Sequence, residues 1–211
     1  DTYNVLVEGL KKQLHISNLK NLINKKELLK IANLFNKNEI KYVFLKGVAI
    51  NVLSNEYVRY SRDLDVLVSK KSLSKAYELL KEIGYKYLNP LVSDSSKFIR
   101  HTHHLPVLSN DDGGLVEIHH RATDRRIYKE CPITESMLNQ RIIVNKNGVN
   151  INISDKNHLI THIIYHAALH HKFDMGPVFL YDIRFLINKE NNKKDLGNLL
   201  QKMNLYNCLL Y

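Results

Sequence analysis

Residues 42–68, YVFLKGVAINVLSNEYVRYSRDLDVLV, restrict the possible folds of this chain more than any other stretch. They begin with a short apolar run, which is typical of a buried strand and which Lys46 and Gly47 interrupt. Residues 48–53 can form a short helix, and a mostly polar segment follows it. In residues 63–68 the predicted faces alternate, with Asp63, Asp65 and Leu67 on one face and Leu64, Val66 and Val68 on the other, which is the period of a strand. The stretch therefore predicts a strand, a glycine turn, a short helix, a loop and a second strand.

The polar face of the second predicted strand carries two carboxylates, Asp63 and Asp65. Residues two apart on a strand project from the same face, so both side chains can point at one spot. Two carboxylates there repel each other and lose hydration unless a cation lies between them. A hard divalent ion with oxygen ligands, Mg²⁺ or Mn²⁺, is the cation that this donor type favours.

The glycine turn supplies a complementary feature. Because Gly47 lacks a Cβ, backbone N–H groups at the start of the following helix can approach an anion closely, and the helix dipole favours a phosphate there. Taken singly, an Asp-x-Asp is usually a solvated strand face, and Lys46-Gly47 is usually a plain turn. Their occurrence in one strand–helix–strand unit favours a site for a metal–triphosphate complex.

A third carboxylate, Glu117, lies in the middle of the apolar run 115–119, which also predicts a strand. A carboxylate among apolar strand residues needs a partner, and a metal ion shared with Asp63 and Asp65 would provide one. The alternative is that Glu117 is an exposed residue on the outer face of the sheet.

These residues resemble the uncharacterised bacterial nucleotidyltransferase family of the DNA polymerase β-like superfamily. One departure is Val48, which stands where the wider superfamily has Gly or Ser. The segments that carry the resemblance are Leu45-Lys46-Gly47, Arg59, Asp63-Leu64-Asp65-Val66-Leu67-Val68, Leu115-Val116-Glu117-Ile118-His119, His166-Ala167-Ala168-Leu169-His170 and Tyr181-Asp182-Ile183.

The resemblance implies an activity, and it implies roles for seven of these residues. The expected reaction transfers NMP from an NTP such as ATP to a hydroxyl acceptor and releases pyrophosphate, with Mg²⁺ or Mn²⁺. The acceptor stays open between a small molecule, a protein side chain and an RNA 3′ end. The implied catalytic residues and metal ligands are Asp63, Asp65 and Glu117; the implied nucleotide-binding residues are Lys46, Gly47 and Arg59; and the implied substrate contact is His119.

Two other functions remain open. A phosphotransferase on the same fold would direct the attack at the γ-phosphate. A catalytically silent member would only bind a nucleotide or a partner protein, although the presence of all three carboxylates argues against that alternative.

The implied fold class is α+β, with a small mixed β-sheet core flanked by helices at both ends. We expect N-terminal helices over residues 1–39, formed as two amphipathic helices, a nucleotidyltransferase core over 40–153 and a C-terminal helical segment over 154–211. Within the core, further strands are predicted at 85–90, 97–100, 103–108, 141–144 and 149–153, and a helix is predicted at 73–83.

The histidines offer a competing metal site. His162, His166 and His170 follow one another at intervals of four on a predicted helix, and such pairs can bind zinc or iron. A site of this kind would suggest a hydrolase. The chain has no HExxH motif and no nearby cysteine pair, so we favour the interpretation that these side chains pack on the core or line a cleft.

Composition sets limits on partners and compartment. The formal net charge is +10, but the lysines are scattered and no arginine stripe interleaves with aromatic residues, so nucleic-acid binding is open but not favoured. The two cysteines lie far apart in sequence and form no CxxC motif, which favours a reducing cytoplasm. We expect no membrane association, because no apolar run approaches the roughly 18 residues that a span requires.

Overall fold

A computed structural model describes residues 2–54, 59–91, 99, 101–174, 176–187 and 193–205. The helices in these ranges are α1 (Thr2–Lys37), α2 (Lys46–Leu53), α3 (Leu73–Glu82), α4 (Thr134–Asn139), α5 (Lys156–Tyr165), α6 (Val178–Leu186) and α7 (Lys193–Lys202), with a 3₁₀ turn at Lys70–Ser72 and a π-helical turn at His166–His170. The strands are β1 (Tyr42–Phe44), β2 (Leu64–Val68), β3 (Lys86–Tyr87), β4 (Leu108–Ser109), β5 (Leu115–His119), β6 (Arg141–Lys146) and β7 (Val149–Ser154).

The seven strands form one mixed sheet in the order β3-β4-β5-β2-β1-β7-β6. Strand β2 pairs in parallel with β5 and antiparallel with β1, while β1 pairs in parallel with β7. The remaining pairs, β3–β4, β4–β5 and β6–β7, are antiparallel. A mixed sheet with helices before and after it confirms the predicted α+β class.

Strand β2 lies in the middle of this sheet, and all five of its residues are buried. Its apolar residues Leu64, Val66, Leu67 and Val68 belong to the hydrophobic core. The remaining residue, Asp65, is a carboxylate that the fold must bury together with them, because a central strand has no solvent-facing side once helices cover the sheet.

The N-terminal prediction of two helices is wrong, since one 36-residue helix, α1, spans the whole segment. Residues 15–18 include Ser and Asn, which favour helix ends, but no proline removes a backbone donor there, so the helix continues. Only the C-terminal part of α1 enters the core, through Leu28, Ile31, Ala32 and Phe35.

Several other elements differ from expectation. The predicted strand 103–108 is reduced to β4 and an isolated bridge between His104 and His119, because Pro106 has no N–H to donate to the ladder. The predicted strand 85–90 shortens to β3. Most of the predicted strand 97–100 lies outside the described residues, and helix α4 was not predicted at all.

The C-terminal segment is helical, as predicted. Asp155 caps α5, with its side chain accepting hydrogen bonds from the backbone N–H groups of Asn157 and His158. After Tyr165 the chain does not stop but continues into the π-helical turn His166–His170. Among the described residues, no helix has the length and apolar character needed to cross a membrane. The limits of the three predicted regions stay predictions.

Candidate active site

Two of the predicted carboxylates lie side by side on the central strands. Asp65 of β2 is the register partner of Glu117 of β5, and the two strands are parallel. Paired positions on neighbouring strands direct their side chains to the same face of the sheet. Asp65 is only 3% exposed, and Glu117 keeps partial contact with solvent. The pairing excludes the alternative in which Glu117 sits on the opposite face from Asp65.

His119 completes a compact group with these carboxylates. It follows Glu117 by two residues on β5, and its Nε2 lies 2.9 Å from Asp65 Oδ1 and 3.5 Å from Glu117 Oε2. One ligand atom from each of the three residues lies within 4.8 Å of the others. The structure thus brings His119 into contact with the acidic pair, whereas its role as a substrate contact stays a prediction.

Asp63 lies just before β2 and lines the same cleft as Asp65. Asp63 is not part of the compact group, but it is close enough for the charges of Asp65 and Glu117 to change its pKa. Burial, together with the charges of Asp65 and Glu117, raises the pKa of Asp63 to about 6. Asp63 therefore stands at the edge of the acidic group.

Lys46 stabilises the negative charge of Asp65. Its Nζ donates a hydrogen bond of 2.6 Å to Asp65 Oδ1. Burial alone would raise the pKa of Asp65, but the Lys46 charge and the His119 hydrogen bond hold it well below its usual range. Burial alone would lower the pKa of His119, but its hydrogen bonds to Asp65 and to Glu117 raise that pKa above its ordinary value. The buried carboxylate is therefore compensated from two sides.

The backbone at Lys46 is strained. Its φ of +50° lies in the left-handed region, which a side chain with a Cβ adopts only at a cost of about 1–3 kcal/mol. This strained residue is the first of α2 and directs its ammonium group to Asp65. The sequence predicts that Gly47 makes the turn, but the positive φ falls on Lys46.

Gly47 has a different structural reason to be glycine. A Cβ built on it would lie 2.2 Å from Nη1 of Arg59 and 3.3 Å from Oγ of Ser61. The missing side chain therefore lets the Arg59 guanidinium lie directly against the start of α2. Both residues line the cleft, as expected, and the glycine is explained by its contact with an arginine.

Arg59 is fixed by Asp182, a residue for which the sequence predicts only a place in a helical segment. Arg59 Nε lies 2.7 and 2.9 Å from the two carboxylate oxygens of Asp182, which is buried in α6. Arg59 Nη1 also donates to the carbonyl oxygen of Tyr60 at 2.9 Å. The one sequence signal for this pair is an acidic residue in the middle of the otherwise apolar run VFLYDI.

Two asparagines hold the loop that carries Arg59 and Asp63. The side-chain amide of Asn51 donates to the Arg59 carbonyl oxygen at 2.7 Å and accepts from the Arg59 N–H at 3.0 Å. Asn24 of α1 donates to the carbonyl oxygen of Ser61 at 2.7 Å. Helices α1, α2 and α6 therefore all contribute a polar side chain that fixes this loop.

These side chains enclose a cleft of about 330 Å³. Larger clefts of about 400 and 480 Å³ lie elsewhere and contain none of the predicted site residues, so size alone does not identify the site. The residues that line the cleft are Lys46, Gly47, Arg59, Tyr60, Ser61, Arg62, Asp63, Asp65, Ile163, His166, Phe179 and Asp182.

The donor set suits a divalent cation. Carboxylate oxygens of Asp65 and Glu117 converge on one face of the sheet, Asp63 lies beside them, and oxygen donors are what Mg²⁺ and Mn²⁺ prefer. Lys46 and His119 contact the same oxygen of Asp65, so a metal ion bound to that oxygen would compete with both side chains for it.

The different surroundings of the two aspartates predict opposite effects on stability. In metal-free buffer at pH 7, Asp63→Asn should raise the free energy of unfolding by on the order of 2 kcal/mol, because it removes a carboxylate whose pKa is raised by burial. That gain should vanish below about pH 4, where Asp63 is protonated in both the folded and unfolded states. Asp65→Asn should cost on the order of 3 kcal/mol, because it leaves the Lys46 charge without its nearest partner.

Denaturant unfolding of both variants at several pH values measures this difference. Equal destabilisation by the two substitutions would contradict the assignment of the Lys46 ion pair to Asp65 rather than to Asp63.

Comparison with solved structures confirms the fold. The solution structure of the antibiotic-resistance factor ANT(2'')-Ia is similar with a TM-score of 0.61 at 11% identity, covering 92% of this chain and 96% of that one. The crystal structure of ANT(2'')-Ia in complex with adenylyl-2''-tobramycin gives 0.58 at 12% identity, covering 83% and 93%. The lincomycin-bound lincosamide antibiotic adenylyltransferase LnuA gives 0.51 at 18% identity, covering 76% and 94%.

No curated protein sequence matches this chain. At identities of 11–18%, the structural likenesses show a common fold and leave the activity to the site itself. The sequence profile of a family described as "Uncharacterised nucleotidyltransferase" matches residues 3–210. Because this match spans nearly the whole chain, the protein belongs to that nucleotidyltransferase family.

Proposed function

We propose that this protein transfers NMP from an NTP to a hydroxyl acceptor, with release of pyrophosphate and with Mg²⁺ or Mn²⁺ as cofactor. The observation that carries the proposal is the position of the Asp65–Glu117 pair next to a cleft whose wall also presents Lys46 and Arg59. A metal–triphosphate complex has both positive and negative parts, and this cleft offers groups that complement each of them.

The acidic group is the proposed metal site. Asp65 and Glu117 would hold the ion, with Asp63 beside them. When bound, the ion would neutralise charge on the triphosphate and lower the pKa of the acceptor hydroxyl. In the free protein the Lys46 ammonium lies 2.6 Å from the Asp65 carboxylate. A metal ion on Asp65 would displace Lys46, and the ammonium would then be free to contact a phosphate oxygen.

The cationic wall is the proposed phosphate site. Arg59 is held rigidly by Asp182 and by its own backbone contacts to Asn51, so its guanidinium is positioned before the ligand arrives. Arg62 lies in the same loop and lines the same cleft. Preorganised cations lower the cost of binding, since their side-chain entropy is already lost in the free protein.

The reaction itself needs an in-line geometry at the α-phosphorus. The acceptor oxygen forms a bond to that phosphorus while the bond to the bridging oxygen of pyrophosphate breaks. The hydroxyl proton passes to a site carboxylate or to water, and pyrophosphate carries away the electron pair of the broken bond. His119, held between Asp65 and Glu117, would fix the orientation of both carboxylates.

The structural neighbours suggest where to look for the acceptor. One was solved in complex with adenylyl-2''-tobramycin and another with lincomycin bound, so the ligands of both are small antibiotic molecules. This favours testing small molecules first, with protein side chains and RNA 3′ ends as further candidates.

The products of a reaction mixture test the proposal. The protein is incubated with each NTP, Mg²⁺ and a panel of tobramycin, lincomycin and tRNA, and mass spectrometry follows pyrophosphate, nucleoside diphosphate and adducts, including adducts of the protein itself. We expect pyrophosphate and a nucleotidylated acceptor, and Glu117→Gln should lower the rate by at least about 100-fold. Glu135→Gln, an exposed residue of α4, is the matched control.

Nucleoside diphosphate with a phosphorylated acceptor would instead identify a phosphotransferase. Binding of NTP with no product for any acceptor would favour the silent alternative.

Gly47→Ala tests the phosphate site separately. The added methyl group must displace the Arg59 guanidinium, so we expect NTP affinity to fall by at least about 10-fold while the fold is retained. Gly9→Ala is the matched control, because Gly9 lies on α1 with no atom near its Cβ position. Isothermal titration with NTP measures both, and parental affinity in Gly47→Ala would place the triphosphate elsewhere.

A further inference from the structure

Three histidine rings meet at the turn that follows α5. Residues His166–His170 form a π-helical turn, closed by a hydrogen bond of 3.0 Å from the N–H of His171 to the carbonyl oxygen of His166. The wider π turn places residues i, i+4 and i+5 next to one another, and such turns occur frequently at functional sites. His166, His170 and His171 occupy these three positions.

The distances between the rings are short. Ring centroids lie 4.4 Å apart for His166 and His171, 4.8 Å for His170 and His171, and 5.2 Å for His166 and His170. One nitrogen from each ring lies within 4.8 Å of the other two. Tetrahedral zinc at about 2.0–2.1 Å from each nitrogen needs nitrogens about 3.4 Å apart, so the three rings would have to move closer together to bind one ion.

The residues around the three rings include a further histidine, a buried carboxylate and strained backbone. His103 packs at 5.4 Å from His170, and its Nδ1 lies 3.8 Å from Asp124 Oδ2, which places a buried carboxylate one ring away from the group. Immediately after the group, Lys172 and Phe173 both have positive φ, of 50° and 63°. Strained non-glycine backbone of this kind is typical of functional sites.

This arrangement differs from the one that the sequence suggested. A regular helix would align His162, His166 and His170, and the sequence favours the interpretation that this row packs on the core or lines a cleft. The structure separates His162, which is 1% exposed and 6.3 Å from the His166 ring, and brings in His171 instead. The extra residue of the π turn causes this exchange.

We propose that His166, His170 and His171 form a site for a zinc-like divalent cation, distinct from the carboxylate site. Three imidazoles are the donor set that zinc, nickel and cobalt prefer over magnesium. A fourth ligand position remains for water or for a ligand of the cleft. Because His166 also lines the cleft that contains Lys46 and Arg59, a bound ion adds positive charge to the wall of that cleft. The proposal does not depend on the nucleotidyltransferase reaction.

Metal-free protein titrated with Co²⁺ and with Zn²⁺ tests this site. The titrations are done in excess Mg²⁺, which competes for the carboxylate oxygens of Asp65 and Glu117, and are followed by the visible absorption of Co²⁺ and by calorimetry. We expect one equivalent to bind, and His170→Ala and His171→Ala should each lower the affinity by at least about 10-fold. His171 is exposed, so its replacement leaves the core unchanged.

Three controls separate this site from others. His15→Ala and His101→Ala remove exposed histidines outside the group and should leave the affinity unchanged. Glu117→Gln should also leave it unchanged, because Glu117 belongs to the carboxylate group. Parental affinity in both His170→Ala and His171→Ala, or loss of the ion in Glu117→Gln, would overturn the proposal, as would the absence of any binding.

Discussion

The buried charge of Asp65 is the constraint on which the rest of the site depends. Its position on a fully buried central strand would be costly in isolation, since an unpaired carboxylate loses its hydration there. Lys46 and His119 contact the same carboxylate oxygen and compensate the charge. Both partners come from elements adjacent to β2, so the local chain path and the pairing with β5 supply them directly.

The second requirement is a rigid loop between α2 and β2. Arg59, Ser61 and Asp63 project from this loop toward the cleft. Its backbone is hydrogen-bonded by Asn51 and Asn24, and the Arg59 side chain by Asp182. Because these partners belong to three different helices, the loop geometry depends on the assembly of the whole domain. Substitution of any of them is therefore expected to alter the cleft without touching a ligand.

The local part of this arrangement could be predicted from sequence. The alternation around Asp65 and the carboxylate within residues 115–119 indicated strands whose polar residues share a face, and the register of Asp65 with Glu117 agrees. The long-range part could not. The hydrophobic periodicity of α6 does not show that Asp182 pairs with Arg59. A prediction that assumes a regular α-helix also misses the π turn, which brings His171 rather than His162 next to His166 and His170. Contacts between distant segments leave no local pattern to read.

The central claim is that the Asp65–Glu117 pair binds the metal of a metal–nucleotide complex. Crystals grown with Mn²⁺ and a non-hydrolysable NTP analogue, measured at the manganese absorption edge, locate the ion directly by anomalous scattering. The account predicts manganese coordinated by oxygens of Asp65 and Glu117, with Lys46 moved from Asp65 onto a phosphate oxygen. Manganese bound elsewhere, with the 2.6 Å contact between Lys46 and Asp65 still in place, would contradict it.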